Sequence, residues 1–186
     1  DSGRQRAPAS ASDSDQSAVL RLLGDPATYG PGVDRVERMD THGAVVFLAG
    51  ERAYKVKRAV AYPYMDFSTL EKRRQCCLRE REINRRTAPD LYLDVVPVTR
   101  DGERLKLGGG GEAVEWVLTM LRFPQEDLLS TRAEVGRLTA ETVVALADAI
   151  ARFHDTAEQR RDVSAGAAAM AGSSMFPPRY RRILPR

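Results

Sequence analysis

The sequence predicts an α+β fold in which a mainly antiparallel sheet and one long helix precede a separate helical part. Three observations indicate this arrangement. Residues 44–60 read as two strands joined by a short turn, residues 68–86 carry a capped helical pattern, and strand patterns then return before a region after Phe123 that is helical only. Strands that are grouped apart from helices are typical of α+β proteins.

Composition excludes several classes of protein. The chain has 186 residues, 42% hydrophobic and 30% charged, as in a globular domain. It contains no apolar run near the roughly 20 residues that a membrane helix needs, so we expect no membrane partner. Cys76 and Cys77 are adjacent, which rules out an ordinary structural disulfide between them, and two histidines leave little material for a zinc site. We therefore expect a cytoplasmic protein with no metal ligands in this chain.

The chain divides into four predicted segments. Residues 1–16 are rich in Ser, Ala and Asp without apolar periodicity, which is typical of a disordered arm. Residues 17–123 hold the strands and the long helix, and residues 124–158 begin the helical part. Residues 159–186 lose periodicity and read as an irregular basic tail. Because that tail has few aromatic side chains on which bases could stack, we do not expect nucleic-acid binding.

The first elements follow from apolar spacing and from chain breakers. A short helix begins at Ser17 and ends before a Gly-Asp-Pro breaker at residues 24–26. A possible strand around Val36 is closed by residues 40–43. The clearest strand pair comes next, at residues 44–49 and 53–60, with a turn at residues 50–52 between them.

Two lysines of this strand pair stand out. Only four of the 29 basic residues are lysines, and Lys55 and Lys57 lie two residues apart. A period of two places both on one face of the strand, with Tyr54 and Val56 on the other. In a chain where arginine is the usual cation, a retained lysine suggests that a compact ammonium is needed. The alternative is a half-solvated strand with two surface lysines.

The long helix carries a candidate partner for those lysines. Ser68 and Glu71 form a capping-box pattern, and the helix should run to about Arg86, before Ala-Pro at residues 88–89. Its buried stripe is predicted to contain Leu70, Cys77, Ile83, Glu80 and Asn84. A carboxylate on the buried side needs a cation, so we expect Glu80 to pair with a strand lysine. A plain structural salt bridge is the alternative.

The remaining elements are read from the second half of the chain. Residues 91–98 predict a strand. Residues 105–107 and 114–121 predict a hairpin joined by the glycine run at residues 108–111. Residues 126–132 read as a short helix or loop, and a second long helix runs from Thr139 to about residue 158.

An ordered series of segments resembles a known family. Residues 45–100, GVDRVERMDTH at 32–42, VEWVLTMLRFPQEDLL at 114–129 and ARFHDTAE at 151–158 resemble bacterial aminoglycoside-phosphotransferase-like proteins, which are often fused to a P-loop ATPase domain. The resemblance covers roughly residues 19–158. It implies a protein-kinase-like fold, with a nucleotide-binding lobe at residues 17–123 and the start of the helical lobe at residues 124–158. The implied cofactors are ATP and Mg²⁺.

The resemblance also implies site residues. Lys55 is similar to the strand lysine that contacts the phosphates of ATP, with Lys57 as the alternative, and Glu80 is similar to the helix glutamate that pairs with it. Residues 40–44 are similar to the loop that covers the phosphates. Its three candidate nucleotide-binding residues are Thr41, His42 and Gly43. The hinge that faces the adenine would contain Met120, Leu121 and Phe123. Met120 would guard the back pocket, and Leu121 and Phe123 would supply backbone contacts.

The departures from the family are as informative as the matches. Such enzymes place a catalytic aspartate in an H-G-D type loop after the helix that His154 closes, followed by a magnesium-binding segment, and residues 155–186 hold neither motif. No G-x-x-x-x-G-K-[ST] motif occurs. We therefore expect a truncated phosphotransferase with little activity by itself, which lacks a C-terminal lobe or a P-loop domain and whose phosphate acceptor the sequence does not define. The alternative is a noncatalytic nucleotide-binding or protein-interaction module.

Overall fold

The fold is that of a computed structural model, which describes residues 15–157. Most of the predicted arm and all of the predicted basic tail therefore lie outside the described residues. The described residues belong to two compact units, one ending at Thr139 and one beginning at Ala140. Each unit is described by itself.

The described residues contain four α-helices and eight strands. The helices are α1 Ser17–Gly24, α2 Leu70–Asn84, α3 Leu129–Glu134 and α4 Ala140–Thr156. The strands are β1 Val36–Asp40, β2 Ala44–Ala49, β3 Arg52–Lys57, β4 Ala61–Tyr62, β5 Met65–Asp66, β6 Tyr92–Asp101, β7 Arg104–Leu107 and β8 Glu112–Leu121. Among residues 15–157, no helix is both long enough and apolar enough to cross a bilayer.

The strands confirm the α+β class and the mainly antiparallel sheet. Six of them form one sheet in the order β1-β2-β3-β8-β6-β7, in which every neighbouring pair of strands is antiparallel. The two short strands β4 and β5 form a separate hairpin directly after β3, which was not predicted from the sequence. In consequence β3 ends at Lys57, three residues earlier than predicted.

One face of the sheet carries the hydrophobic core. Val19 and Leu23 of α1, one helical turn apart, pack there with Phe47, Tyr54 and Val56. Because side chains alternate along a strand, Lys55 and Lys57 point to the opposite face, as predicted. That opposite face is where α2 packs, against β8 and β6.

The capping-box prediction for α2 is wrong by one residue. The cap is Thr69, whose Oγ1 accepts a hydrogen bond from the Lys72 amide at 3.3 Å. Ser68 is not free to cap the helix, because its amide and its hydroxyl both donate to Oδ1 of Asp66, at 3.0 and 2.6 Å. The helix therefore begins at Leu70.

The predicted stripe of α2 also needs one correction. Ile83 is 43% exposed, whereas Arg73, which the prediction leaves out, is only 1% exposed. The inward-facing positions therefore follow the sequence spacing 70, 73, 77, 80 and 84, which repeats every three or four residues as a helix face does.

The hairpin predicted across the glycine run is wrong. β7 pairs with β6, through a tight turn at Gly102 with φ 58°, and β8 pairs with the other side of β6 and with β3. The glycine run instead carries the chain from one side of β6 to the other. Gly111 passes so close to β6 that a Cβ on it would lie 2.6 Å from the Arg100 carbonyl oxygen.

The helical part agrees with its prediction in kind. The segment predicted as a short helix or loop contains a 3₁₀ turn at Gln125–Asp127 followed by α3. The second long helix is α4, which ends at Thr156.

Candidate functional site

The predicted pairing between α2 and β3 brings three charged side chains together. Lys55 Nζ lies 2.7 Å from Glu80 Oε1, and Lys57 Nζ lies 2.5 Å from Glu80 Oε2. Each carboxylate oxygen therefore accepts one hydrogen bond from a different lysine. We call these three residues, Lys55, Lys57 and Glu80, the lysine–glutamate cluster.

The two lysines differ in their access to solvent. The side chain of Lys55 is 27% exposed and that of Lys57 only 9%, with Glu80 between them at 16%. Lys57 Nζ also lies 5.3 Å from the centre of the Phe67 ring, which covers it. Lys55 is thus the member of the cluster that an external molecule can reach most readily.

Pairing shifts the pKa of the two less exposed members of the cluster, Glu80 and Lys57. Burial alone raises the pKa of Glu80, but hydrogen bonds from Lys55 and Lys57 outweigh burial and hold it below its ordinary value. Burial likewise lowers the pKa of Lys57, and the bond to Glu80 more than reverses this and raises it. Each charge is therefore stabilised by its partner at neutral pH.

The β1–β2 turn holds three of the predicted residues, Thr41, His42 and Gly43. Three hydrogen bonds between Thr41 and Ala44 close this turn. The Thr41 amide and Thr41 Oγ1 each donate to the Ala44 carbonyl at 2.9 Å, and the Ala44 amide donates to Thr41 Oγ1 at 3.1 Å. Arg58 supports the turn from outside, with its Nε on the Thr41 carbonyl at 3.0 Å and its amide on the Gly43 carbonyl at 2.9 Å.

The β4–β5 hairpin covers this turn. His42 Nε2 and the Tyr64 hydroxyl are 2.6 Å apart, and the Tyr62 ring stacks on His42 with centroids 4.5 Å apart. Gly43 sits directly under Met65, because a Cβ on Gly43 would lie 2.9 Å from Met65 Sδ. The glycine thus serves close packing, with an ordinary backbone conformation.

The turn and the lysine–glutamate cluster are neighbours. Ala44, which follows the turn, is the register partner of Lys57 on β3. Phe67 lies against both the turn and the cluster. Its ring covers Lys57 Nζ, and a Cβ on Gly43 would lie 3.5 Å from the ring. The structure therefore brings the predicted turn residues to the same end of the sheet as Lys57.

The remaining predicted residues lie at the end of β8. Met120 pairs with Ala53 of β3, two residues from Lys55, so the register places Met120 on the same face of the sheet as Lys55. Ala53 lies four positions before Lys57 on β3, so the Met120 end of β8 is roughly 13 Å along the strand from Lys57. Leu121 and Phe123 line an open groove of about 620 Å³ together with Gly50 and Glu51.

A second charged cluster was not predicted. Arg73 Nε donates to both oxygens of Glu115 at 2.9 Å, and both side chains are almost completely buried. Gln16 joins this pair, donating to Glu115 Oε2 at 2.6 Å and to the Lys57 carbonyl at 2.8 Å. Although the sequence places Gln16 in the arm, it is tied to the end of β3.

Two sequence signals pointed to this second cluster. Glu115 is a carboxylate inside the apolar run of residues 114–121, and Arg73 completes the three-and-four spacing of the α2 stripe. A charge in either place is costly unless it is paired. Read together, they would have indicated a buried ion pair between α2 and β8.

Within residues 15–157, no group of three or more His, Cys, Asp or Glu side chains is placed to hold a metal ion. Cys76 and Cys77 are both free thiols, and Cys77 is buried. Burial raises the pKa of the Cys77 thiol to about 12. A buried thiol that holds its proton so firmly is packing material rather than a nucleophile.

Comparison with known proteins gives relatives without an assigned function. An uncharacterized protein of Mycobacterium tuberculosis and one of Mycobacterium bovis are each 37% identical to this chain over 136 residues, which is 73% of the chain. The chain spans about a quarter of the length of these curated relatives, since the match covers 25% of each. No family model matches the chain. No solved structure matches it significantly.

Proposed function

We propose that residues 17–123 form the nucleotide-binding lobe of an ATP-dependent phosphotransferase with a protein-kinase-like fold. The observation that carries this proposal is the 2.7 Å hydrogen bond between Lys55 of β3 and Glu80 of α2. Kinases orient ATP with a strand lysine that is held by a helix glutamate. In this proposal Lys55 donates to phosphate oxygens, and Glu80 fixes the direction of the Lys55 side chain.

The exposure of the two lysines supports Lys55 as the phosphate ligand. Lys57 is almost fully covered, while Lys55 keeps 27% of its side chain exposed. Lys55 therefore contacts the ligand without any rearrangement of Phe67.

The position of the predicted hinge supports the adenine end of the site. Met120 shares a sheet face with Lys55, and the groove beside Leu121 and Phe123 opens at the same end of β8. The Leu121 amide already donates to the Leu91 carbonyl at 2.9 Å. Adenine is therefore recognised through the Leu121 carbonyl and the backbone of Phe123.

The β1–β2 turn supports the phosphate end. The Thr41 and Ala44 amides are engaged inside the turn, donating to the Ala44 carbonyl and to Thr41 Oγ1 at 2.9 and 3.1 Å. Contacts from the turn to phosphate therefore come from the amides of His42 and Gly43.

The described residues do not fit a magnesium site, because no suitable group of acidic side chains is present among them. We assign no step to the metal in this lobe. In this proposal, the catalytic aspartate and the magnesium ligands come from another part of a longer protein or from a partner chain. The relatives, of which this chain spans a quarter, are long enough to contain such a part.

Titration calorimetry of the full chain with ATP tests the proposal. We expect Lys55→Ala to weaken ATP binding at least about tenfold, because a charge-assisted contact to phosphate is lost. Lys106→Ala is the matched control, since it removes an exposed lysine from β7, at the opposite edge of the sheet from β1 and β2. Equal ATP affinity for the wild type and Lys55→Ala, with both proteins folded, would remove Lys55 from the site. No ATP binding by the wild type would end the proposal.

A further inference from the structure

Glu80 differs from a simple ion-pair partner because it holds two cations at once. Its two oxygens are occupied separately, by Lys55 on Oε1 and by Lys57 on Oε2. The lysine–glutamate cluster therefore carries a net charge of about one positive unit, whereas a single lysine–glutamate pair is neutral. The extra charge lies beside the place where we propose that phosphates bind.

This arrangement changes the energy of moving Lys55. If Lys55 were the only partner of Glu80, turning its ammonium toward an anion would leave a mostly buried carboxylate unpaired, which is costly. With Lys57 held 2.5 Å from the second oxygen, Glu80 keeps a cation throughout. The carboxylate is also prevented from repelling the phosphates.

We propose that Lys57 is a positioning residue that holds and neutralises Glu80, so that the charge of Lys55 is available to the phosphate groups of the ligand. The contact between Lys55 and phosphate rests on the proposed function. The hold of Lys57 on Glu80 does not, because it concerns the protein without a ligand. Lys57 is then not a phosphate ligand itself.

Other titratable groups near the cluster do not replace Lys57. From α2 itself, the thiols of Cys76 and Cys77 lie close to Lys57, and from β6 the Tyr92 phenol lies close to Glu80. Burial keeps the Cys77 thiol protonated, and it also raises the pKa of Tyr92. At neutral pH Lys55 and Lys57 are therefore the cations of the cluster.

The first experiment measures the pKa of Glu80 without any nucleotide, by carbon NMR of protein labelled at the glutamate carboxyl carbons. We compare Lys55→Ala with Lys57→Met, which keeps the length of the side chain among Phe67 and the thiols but removes its charge. We expect the pKa of Glu80 to rise in both variants, and to rise more in Lys57→Met, since Lys57 is the less exposed partner. An equal or smaller rise in Lys57→Met would overturn the positioning role.

The second experiment adds saturating ATP. In the wild type we expect the pKa of Glu80 to stay below its ordinary value, because Lys57 still holds the carboxylate. In Lys57→Met we expect ATP to raise the pKa of Glu80 further and ATP affinity to fall about tenfold. Lys57→Arg, which keeps the charge, should recover part of that affinity.

The outcomes separate the two proposals. If the wild type does not bind ATP but Lys57→Met shows the larger rise in the pKa of Glu80, the proposed function fails and the hold of Lys57 on Glu80 stands. If ATP binding depends on Lys55 but is the same in Lys57→Met and in the wild type, the proposed function stands and the inference about Lys57 is wrong. Circular dichroism of each variant establishes that it is folded before either comparison is made.

Discussion

Arg73 and Glu115 are separated by 42 residues in the chain, yet Arg73 Nε donates to both carboxylate oxygens of Glu115 at 2.9 Å in the interior. The guanidinium also donates from Nη1 to the Phe67 carbonyl at 3.1 Å, just before α2 begins. The pair thus fixes the start of α2 against β8. Because α2 carries Glu80, this contact positions the helix that contributes the carboxylate to the lysine–glutamate cluster.

We predict that Glu115→Gln lowers the free energy of unfolding by about 3 kcal/mol, since it leaves the buried Arg73 charge without a counterion. Urea unfolding at neutral pH measures this. Glu112→Gln makes the same chemical change at an exposed position on the same strand and should change stability by less than about 0.5 kcal/mol. Similar stabilities for the two variants would contradict the prediction.

The lysine–glutamate cluster should contribute to stability in a pH-dependent way. The pKa of Glu80 is lower in the folded chain than its ordinary value of 4.5, so its contribution is complete above about pH 4.5 and is lost as the pH falls through the folded value. The pKa of Lys57 is raised above 10.5, so its contribution is complete below that pH and is lost only as the pH rises further.

We therefore predict that Glu80→Gln lowers the free energy of unfolding by about 2–3 kcal/mol at pH 7, because two ammonium groups then face each other without a carboxylate. The difference from the wild type should shrink as the pH falls below 4.5. Glu82→Gln, on the exposed side of the same helix, is the control and should have a small effect at either pH. A Glu80→Gln effect that is independent of pH would show that Glu80 acts through its shape and not through its charge.

The two adjacent thiols should differ in reactivity. Cys77 is buried and its pKa is raised to about 12, so very little thiolate forms at pH 8. We predict that Cys76→Ala protein, which keeps only Cys77, reacts with an aromatic disulfide reagent only after denaturant is added. The matching Cys77→Ala protein should react faster in the folded state, since Cys76 is only half-buried. Rapid labelling of folded Cys76→Ala would contradict this environment for Cys77.

The glycine run offers a matched pair of substitutions. A Cβ on Gly111 would lie 2.6 Å from the Arg100 carbonyl oxygen, a backbone atom of β6, while a Cβ on Gly110 would meet nothing within 4 Å. We predict that Gly111→Ala lowers the thermal midpoint and reduces the free energy of unfolding by about 2 kcal/mol. Gly110→Ala should leave the free energy of unfolding unchanged or raise it slightly. Calorimetry of both variants measures these changes, and equal thermal midpoints for the two would contradict the prediction.

Local patterns predicted much of the fold. The β-branched, apolar run at residues 44–49 identified β2. Alternation from residue 53 identified β3 and the shared face of Lys55 and Lys57, and the helical spacing of α2 placed Glu80 on the side that meets them. These features depend on neighbours in sequence. Such local patterns could not show whether Ser68 or Thr69 is the N-cap of α2. Both residue types are good caps, and the outcome depends on the hydrogen bonds from Ser68 to Asp66.

The wrong predictions concern features that depend on contacts between segments far apart in the sequence. The glycine run looked like a hairpin turn, but the tighter turn at Gly102 pairs β7 with β6 and leaves the run as a crossing. The bond between Arg73 and Glu115 depends on two segments that meet only in the folded sheet. The prediction that one strand lysine pairs with Glu80 was too narrow, because both lysines bind it, each at a different carboxylate oxygen.

The sheet order has a consequence for how the chain is assembled. β8 lies between β3 and β6, although it is the last of the six strands to leave the ribosome. Until residue 121 has emerged, β3 and β6 each present an unpaired edge, which is open to wrong partners. Completion of the sheet must therefore wait for its central strand. The pairing of β8 with β3 joins residues 117–121 to residues 52–56, and such non-local pairing favours slow folding. A nascent chain that stalls before β8 is complete has both flanks of the sheet and nothing to join them.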